Sequence, residues 1–387
     1  MQQNQLTDKI YYIGVDDKEI DLFEGQYVVP NGISYNSYLI TDEKTVIMDT
    51  VDVHKAEDWL LNLKTVLKEK EPDYLVVLHM EPDHAGSIEK LLQNYPSLKI
   101  ITNQKAFQMM EQFFPSLDLT DKKVIVKEGD ELNLGEHTLL FVTAPMVHWP
   151  EVMVAYEKKE KILFSADGFG KFGALDTVEE WDCEARRYYI NIVGKYGAPV
   201  QTLLKKAAAL DIKKIFPLHG PMLTENLDHY IQKYDIWSSY EPEDKGIFIA
   251  YTSIYGHTKD AALKLKEILL QKGASKVAIA DLARDDMAEC VEDAFRYSHL
   301  VLACPTYDGG IFPYMATFIH HLKSKNFQNR TVGFIENGSW APVAGQVMKK
   351  EMETLKNIRL IDKVVTIKSA LKETDIPLLE ELAGSLL

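Results

Sequence analysis

Four side chains of metal-ligand type lie within six residues of one another: His79, Glu81, Asp83 and His84. Imidazole nitrogens and carboxylate oxygens at this density favour a divalent transition metal over a charged surface loop. An apolar run at 74–78, with the length and β-branched content of a buried strand, precedes them, and a helical pattern begins at Ser87. The sequence therefore predicts a metal site on the loop between a strand and a helix, where α/β proteins commonly place their sites.

Three later strand patterns end at further residues of the same chemical type. The patterns at 138–143, 162–165 and 214–217 lead to His148, Asp167 and His219. A lone histidine after a strand is more often a satisfied polar residue than a ligand, but four such strand ends in one domain favour ligands. Strand ends at one edge of a sandwich meet in space, as a metal site requires. We therefore expect four histidines and three carboxylates to form one site.

Three loops in the last third of the chain have the composition of a flavin site: Thr252–Thr258, Pro305–Gly310 and Asn337–Ala341. The first opens a helix with hydroxyl and backbone N–H groups, which suits a phosphate dianion. The other two combine glycines with an aromatic side chain that can stack on an isoalloxazine ring. FMN fits better than NAD, because no G-x-G-x-x-G motif opens a helix in this part of the chain. The expected FMN contacts are Thr252, Ser253, Ile254, Tyr255, Gly256, His257, Thr258, Pro305, Thr306, Tyr307, Asp308, Gly309, Gly338, Ser339, Trp340 and Ala341.

The elements that must position these residues divide at a polar linker, Glu241–Lys245. Before the linker, strand patterns cluster with a few helices, and they include one long strand at Ser34–Thr41 and one helix at Glu179–Tyr196. After it, five strands alternate with five helices, which predicts a doubly wound parallel sheet in the flavodoxin order 2-1-3-4-5. We predict an α/β protein with one domain at residues 1–243 and a second at residues 244–387.

Composition restricts the kinds of partner. The chain has 387 residues, of which 46% are hydrophobic, and its formal net charge of -15 disfavours nucleic acid and an anionic membrane surface. The three cysteines, Cys183, Cys290 and Cys304, form no C-x-x-C pair, so neither a disulfide framework nor a zinc ribbon is expected. Neither a signal peptide nor an apolar run of membrane-spanning length is present in the sequence. We therefore expect a cytoplasmic protein without a membrane or nucleic-acid partner.

The order His-x-Glu-x-Asp-His, then His148, Asp167 and His219 resembles the metallo-β-lactamase fold, an αββα sandwich whose hydrolases usually read His-x-His-x-Asp-His and hold zinc. Glu81 stands where the hydrolases have the second histidine, and carboxylate-rich sites suit redox-active iron. With His148-Trp149-Pro150 and the run from Phe164 to Gly170, the chain resembles the flavodiiron proteins over nearly its whole length. The resemblance implies the two-domain A type, and no fused rubredoxin or flavin reductase is expected after Leu387.

That resemblance implies a diiron centre together with FMN. It implies that His79, Glu81 and His148 bind one iron, that Asp83, His84 and His219 bind the other, and that Asp167 bridges the two. In some members of the family, the imidazole that matches His84 swings off the metal. A diferrous site supplies two electrons and reduced FMN two more, which matches the reduction of dioxygen to two waters. Two electrons match the reduction of two nitric oxide molecules to nitrous oxide.

The resemblance also implies partners. A separate donor such as rubredoxin or a reductase delivers electrons to FMN, and a head-to-tail homodimer, or a dimer of such dimers, brings the flavin of one subunit to the irons of the other. Two departures from the family pattern affect contacts around the ligands. Glu151 replaces a common Asp after His-Trp-Pro, and Pro221-Met222-Leu223 follows His219 where many members have a Trp-Arg pair.

Two other classes of function stay open at this point. One is a zinc hydrolase of the metallo-β-lactamase type with a vestigial flavodoxin domain, and Glu81 argues against it. The other is an FMN electron carrier or redox sensor, and the full set of ligand candidates argues against that. Metal analysis discriminates between them, since zinc favours the hydrolase and two irons per chain favour the reductase. The ligand residues do not rank dioxygen against nitric oxide, because both gases need the same ligands.

Overall fold

The computed structural model describes residues 4–387, which separate into two units. The first unit comprises the residues up to Tyr189 together with Ala198–Tyr234, and the second comprises Ile190–Gly197 together with Asp235–Leu387. Within the described range, every helix is either too short or too polar to cross a membrane. The domain boundary between residues 243 and 244 stays a prediction.

Two larger sheets form the framework of the first unit. Its strands are β1 (Ile10–Tyr12), β2 (Val15–Asp17), β3 (Leu22–Phe23), β4 (Tyr27–Val28), β5 (Ile33–Tyr35), β6 (Tyr38–Thr41), β7 (Thr45–Met48), β8 (Tyr74–Val76), β9 (Lys99–Thr102), β10 (Lys123–Ile125), β11 (Glu131–Asn133), β12 (Thr138–Thr143), β13 (Met153–Glu157), β14 (Ile162–Phe164) and β15 (Lys214–Phe216). One sheet has the order β1-β6-β7-β8-β9-β10 and the other the order β11-β12-β13-β14-β15, while β2 pairs with β5 and β3 with β4.

The two sheets contact each other through buried aromatic side chains. The ring centroid of Tyr38 on β6 lies 5.2 Å from that of Phe216 on β15 and 5.4 Å from that of Phe164 on β14. Such pairs contribute about 0.5–1.5 kcal/mol each beyond the burial of their area. This core therefore joins the strand that follows Asn36 to the two strands that precede Asp167 and His219.

Short helices connect the strands of the first unit. They are α1 (Ala56–Leu67), α2 (Pro82–Ala85), α3 (Ile88–Asn94), α4 (Gln104–Phe113), α5 (Trp181–Tyr188), α6 (Gly197–Ala207) and α7 (Leu227–Ser238). In α1 the buried residues Trp59, Leu60, Leu63 and Leu67 recur at helical spacing, so one apolar face covers the core.

Two elements predicted for this region are wrong in detail. The expected strand Ser34–Thr41 is divided into β5 and β6, which belong to different sheets, because the polar groups of Asn36 and Ser37 bond to other segments. The expected helix Glu179–Tyr196 is α-helical only in α5 and continues as a π-helical and a 3₁₀ turn. Side-chain periodicity does not separate these helix types, since they differ in the register of their backbone hydrogen bonds.

The second unit is a doubly wound sheet. Its elements are β16 (Asp244–Tyr251), α8 (His257–Gln271), β17 (Val277–Asp281), α9 (Met287–Arg296), β18 (Tyr297–Tyr307), β19 (Gly310–Ile311), α10 (Pro313–Ser324), β20 (Thr331–Asn337), α11 (Ala344–Met352), β21 (Arg359–Ile367) and α12 (Ile376–Leu386). The five long strands are parallel in the order β17-β16-β18-β20-β21, which confirms the predicted order 2-1-3-4-5. Ligands bind such sheets at the carboxyl ends of the strands.

Candidate functional site

The ligand-type residues of the first cluster are divided between a loop and a helical turn. The sequence placed all of them on a loop, but Pro82 begins α2, so Asp83 and His84 are helical. Proline fits the first helical position because its missing N–H has no intrahelical acceptor there. The backbone N–H groups of His84 and Ala85 donate to the carbonyl oxygen of Glu81, and the turn directs both side chains inward.

The other candidates follow strand ends, as the sequence predicted. His148 follows β12, Asp167 follows β14 and His219 follows β15. The structure brings all seven candidates together in the first unit. Six of them are buried: His79, Asp83, His84, His148, Asp167 and His219.

Their ligand atoms form two groups. His79, Glu81, His148 and Asp167 make up the first group, and Asp83, His84 and His219 make up the second, with the ligand atoms of each group all within 4.8 Å of one another. The carboxylate of Asp167 faces both groups. Its Oδ2 lies 3.2 Å from Nε2 of His79 and 3.1 Å from Nε2 of His148, whereas its Oδ1 lies 3.1 Å from Nε2 of His84.

Within each group, the remaining carboxylate also approaches the imidazoles. Glu81 Oε2 lies 3.1 Å from His79 Nε2 and 3.0 Å from His148 Nε2. Asp83 Oδ2 lies 3.2 Å from His219 Nε2, yet neither oxygen of Asp83 has a hydrogen-bond partner among the described residues. Buried carboxylate oxygens without a donor are rare in proteins, and a bound cation satisfies them. The donor set therefore fits two divalent cations with nitrogen and oxygen ligands.

Two of the imidazoles are fixed through their other nitrogen. His79 Nδ1 donates to Glu151 Oε1 at 2.8 Å, and His219 Nδ1 donates to the carbonyl oxygen of Ser34 at 2.7 Å. Glu151 Oε1 also accepts the backbone N–H of Met80 at 2.9 Å. Glu151 thus orients His79 although it is one methylene longer than the aspartate expected after His-Trp-Pro. Outer contacts of this kind set the tautomer and direction of a ligating imidazole.

The carboxylates of the site also favour positive charge on the groups beside them. Burial would lower the pKa of His148, but Asp167 and Glu81 raise it to about 9. Burial likewise opposes the charged form of His219, and Asp83 nonetheless raises its pKa. In the metal-free protein, a proton on His148 compensates part of the carboxylate charge, and a divalent cation takes over that role when it binds.

A cavity of about 520 Å³ lies beside the two groups, with Glu81, Pro82 and Asp83 in its wall. No sequence motif predicts the rest of its lining, since these residues come from three separate earlier segments. They are Asp17, Glu19, Ile20, Leu22, Phe23, Glu24, Tyr35, Asp52, His54 and Lys55. The cavity gives a small molecule access to the ligand carboxylates.

The predicted flavin loops surround a second cavity, of about 560 Å³, in the second unit. Its lining includes every predicted contact except Thr252, Gly256 and Tyr307. Thr252 is buried, with its hydroxyl 3.4 Å from the sulfur of Cys304, and Gly256 has the left-handed φ of +96° that starts α8. The α8 N-terminus therefore opens beside the cavity, where a phosphate is favoured.

Two lining residues of this cavity were not among the expected contacts: Asn337, which belongs to the third predicted loop, and Ser369. Ser369 follows β21, and its hydroxyl lies 2.7 Å from that of Ser339. Because Ser369 follows the fifth strand, its place in the sequence already indicates the sheet edge on which the flavin loops lie. The helix α11 begins only at Ala344, because Pro342 lies in the preceding loop and Thr306 Oγ1 accepts the N–H groups of Val343 and Ala344.

Known proteins are similar in sequence to this chain over nearly its whole length. The family profile described as ODP family beta lactamase matches residues 33–220, which contain all seven ligand candidates. An uncharacterized protein of Methanocaldococcus jannaschii is 31% identical over 378 residues, which cover 95% of this chain and 94% of that protein. The nitric oxide reductase of Moorella thermoacetica is 28% identical over 361 residues, which cover 91% of this chain and 90% of that protein.

Solved structures match the two-domain architecture. The rubredoxin oxygen:oxidoreductase of Desulfovibrio gigas matches with a TM-score of 0.92 at 27% identity and covers 99% of this chain and 97% of that one. A single-residue variant of the flavo di-iron protein of Thermotoga maritima matches with a TM-score of 0.89 at 25% identity and covers 100% of this chain and 97% of that one. These matches confirm the predicted fold class, a metallo-β-lactamase-like sandwich followed by a flavodoxin-like sheet.

Proposed function

The chain belongs to the flavodiiron proteins, and we propose that it is an oxidoreductase that reduces dioxygen to water, nitric oxide to nitrous oxide, or both. A single observation carries this proposal: the carboxylate of Asp167 presents one oxygen to each of two groups of buried ligand atoms. A carboxylate in this position bridges two metal ions, and two adjacent redox metals suit the reduction of a small gas.

The proposed ligands follow from the two groups. His79, Glu81 and His148 bind one iron, Asp83, His84 and His219 bind the other, and Asp167 bridges them. When bound, the diiron centre supplies the electrons and the open positions at which a small gas is reduced. The chain's own residues fix the donors. Glu151 and the carbonyl oxygen of Ser34 keep hydrogen on Nδ1 of His79 and His219, so the neutral form of each ring offers the lone pair of Nε2 to a metal ion.

The cavity in the second unit holds the electron-entry cofactor, FMN. Ser253 and Thr258 flank the N-terminus of α8, where backbone N–H groups receive the phosphate, and Trp340 provides an aromatic face for the isoalloxazine ring. Trp340 is 89% exposed and Tyr255 88% exposed at the rim of this cavity. Large aromatic side chains this exposed are typical of a surface that a partner or ligand covers.

We expect the protein reconstituted with FMN to show the absorbance of an oxidised flavin. Replacing Thr258 and Trp340 together by Ala removes a phosphate-side hydroxyl and the stacking surface, so FMN affinity falls about ten-fold or more. Tyr307→Ala is the matched control, because Tyr307 was a predicted contact but does not line the cavity. Fluorescence titration measures the FMN affinity of the wild type, the double variant and the control. A folded wild-type protein that takes up no flavin contradicts the assignment.

The partners of the reaction are also proposed from the family. Relatives named for rubredoxin indicate a rubredoxin-type electron donor, which reduces FMN. We extend the proposal to a cytoplasmic head-to-tail homodimer, or a dimer of such dimers, in which the flavin of one subunit serves the irons of the other. The exposed aromatic side chains at the rim of the flavin cavity support the proposed dimer, because a partner subunit can cover such a surface. We also propose that the domains divide at residues 1–243 and 244–387.

Glu81 is the proposed determinant of iron selectivity. Glu81→His gives the first group a third imidazole donor and restores the His-x-His-x-Asp-His pattern of zinc hydrolases. In cells grown with both metals, we expect this variant to change from mostly iron to mostly zinc while it keeps its fold. Glu19→His, at the exposed rim of the neighbouring cavity, is the control and keeps iron. Full iron content and full reductase rate in the Glu81→His variant would refute this role.

Metal analysis combined with anaerobic gas consumption tests the function. The proposal predicts two irons and one FMN per chain, with consumption of dioxygen or nitric oxide when an artificial donor is added. Zinc at both positions together with hydrolytic activity would contradict it and favour a hydrolase. FMN without iron would favour an electron carrier.

A further inference from the structure

The segment 34–38, which runs from the end of β5 to the start of β6, carries buried polar groups. Asn36 and Ser34 are both fully buried, and they lie where the sequence predicted one continuous strand. Buried polar side chains are retained in folded proteins when they bond to something specific. Five of its hydrogen bonds reach the loop Pro217–Gly220, at least 179 positions away along the chain.

Hydrogen bonds from this segment reach every residue of that loop. The Nδ2 group of Asn36 donates to the carbonyl oxygens of Pro217 at 2.8 Å and Gly220 at 2.7 Å. The backbone N–H of Asn36 donates to the carbonyl oxygen of Leu218 at 2.8 Å. The oxygen of the side-chain amide is also engaged, since Tyr12 donates its hydroxyl to Asn36 Oδ1 at 3.1 Å.

Ser34 and Tyr38, the neighbours of Asn36, also form hydrogen bonds to this loop. Ser34 Oγ accepts the backbone N–H of Gly220 at 2.7 Å, and the Tyr38 hydroxyl donates to the carbonyl oxygen of Pro217 at 2.7 Å. The carbonyl oxygen of Ser34 accepts a hydrogen from His219 Nδ1 at 2.7 Å. A carbonyl oxygen only accepts, so this contact requires hydrogen on Nδ1, and the neutral ring of His219 then presents the lone pair of Nε2 to the second group.

We propose, on the basis of the diiron function proposed above, that Asn36 is the positioning residue of the second iron site and that Ser34 and Tyr38 assist it. Asn36 contacts no ligand side chain. It holds both ends of the loop that carries His219, and the same segment sets the tautomer of that imidazole. In the first group, Glu151 orients His79 instead. We therefore expect loss of Asn36 to lower the affinity of the second iron site more than that of the first.

Anaerobic titration of the metal-free full-length protein with Fe²⁺, against a colorimetric chelator, tests the proposal. Asn36→Leu keeps the size of the side chain and removes both donors. We expect it to bind one iron with wild-type affinity and the second about ten-fold or more weakly, the range found when an outer contact of a metal ligand is lost. Circular dichroism and FMN content report on the fold.

Two milder variants keep the test decisive if Asn36→Leu does not fold. Ser34→Ala and Tyr38→Phe each remove one bond to the loop and should weaken the second iron less. Tyr156→Phe is the matched control, because its hydroxyl donates to the carbonyl oxygen of Asp211, away from the ligand residues. Equal iron affinity in all folded variants and wild type overturns the positioning role alone. A wild-type protein that binds fewer than two irons overturns the diiron function instead.

Discussion

Asp167→Asn should abolish gas reduction while the protein stays folded. The side chain keeps its shape, but the bridging position loses its negative charge and one of its two acceptor oxygens. Asp167 is 1% exposed and faces imidazoles of both groups, so no water replaces the lost oxygen. We expect iron content to fall at both positions and the rate with either gas to fall about 100-fold or more.

The control for this variant is Asp58→Asn, which removes the same charge from the exposed face of α1. It should keep wild-type iron content and rate. Iron analysis and gas-electrode rates on both variants are the measurements. If Asp167→Asn holds two irons and retains a rate within a few-fold of wild type, Asp167 is not the bridge.

Activity should return when two inactive subunits are combined. The Asp167→Asn subunit keeps its flavin site, and a subunit that carries both Thr258→Ala and Trp340→Ala keeps its ligand residues. Each parent homodimer should be nearly inactive. In a head-to-tail heterodimer, the intact flavin of the first subunit faces the intact irons of the second, so up to about half of the wild-type rate should return.

Subunit exchange must be established by mass before the rates are compared. A mixture of wild-type protein with Asp58→Asn protein is the control for exchange itself and should keep its full rate. If exchange is complete and no activity returns, or if a monomer with both sites intact runs at full rate, electrons pass within one chain and the cross-subunit proposal is wrong.

The sequence predicted the convergence of the candidate site well, because its residues follow strand ends. Strand ends of one sheet edge meet whatever the loop lengths are, so His79, His148, Asp167 and His219 were expected together although they span some 140 residues. The same rule placed the flavin loops, and the fold class and strand order of the second unit are confirmed. The ligand assignments themselves stay proposals.

What the sequence did not reveal depends on long-range contacts. Residues 34–41 have the local pattern of one strand, and only the bonds from Asn36 to the loop Pro217–Gly220 explain why the chain changes sheets there. The cavity beside Glu81 is built from segments around Asp17, Glu24 and Asp52, which share no motif. Local periodicity carries no information on such pairings.

A single oxidation experiment tests the central claim most directly. The anaerobic protein, loaded with iron and FMN and fully reduced, is mixed with known amounts of dioxygen, and flavin absorbance, iron oxidation and hydrogen peroxide are measured together. We expect that one dioxygen per chain reoxidises both cofactors and that no peroxide accumulates, since two electrons from the irons and two from FMN complete the reduction to water. Peroxide formed in proportion to dioxygen, with the irons still reduced, would show that the irons do not reduce dioxygen.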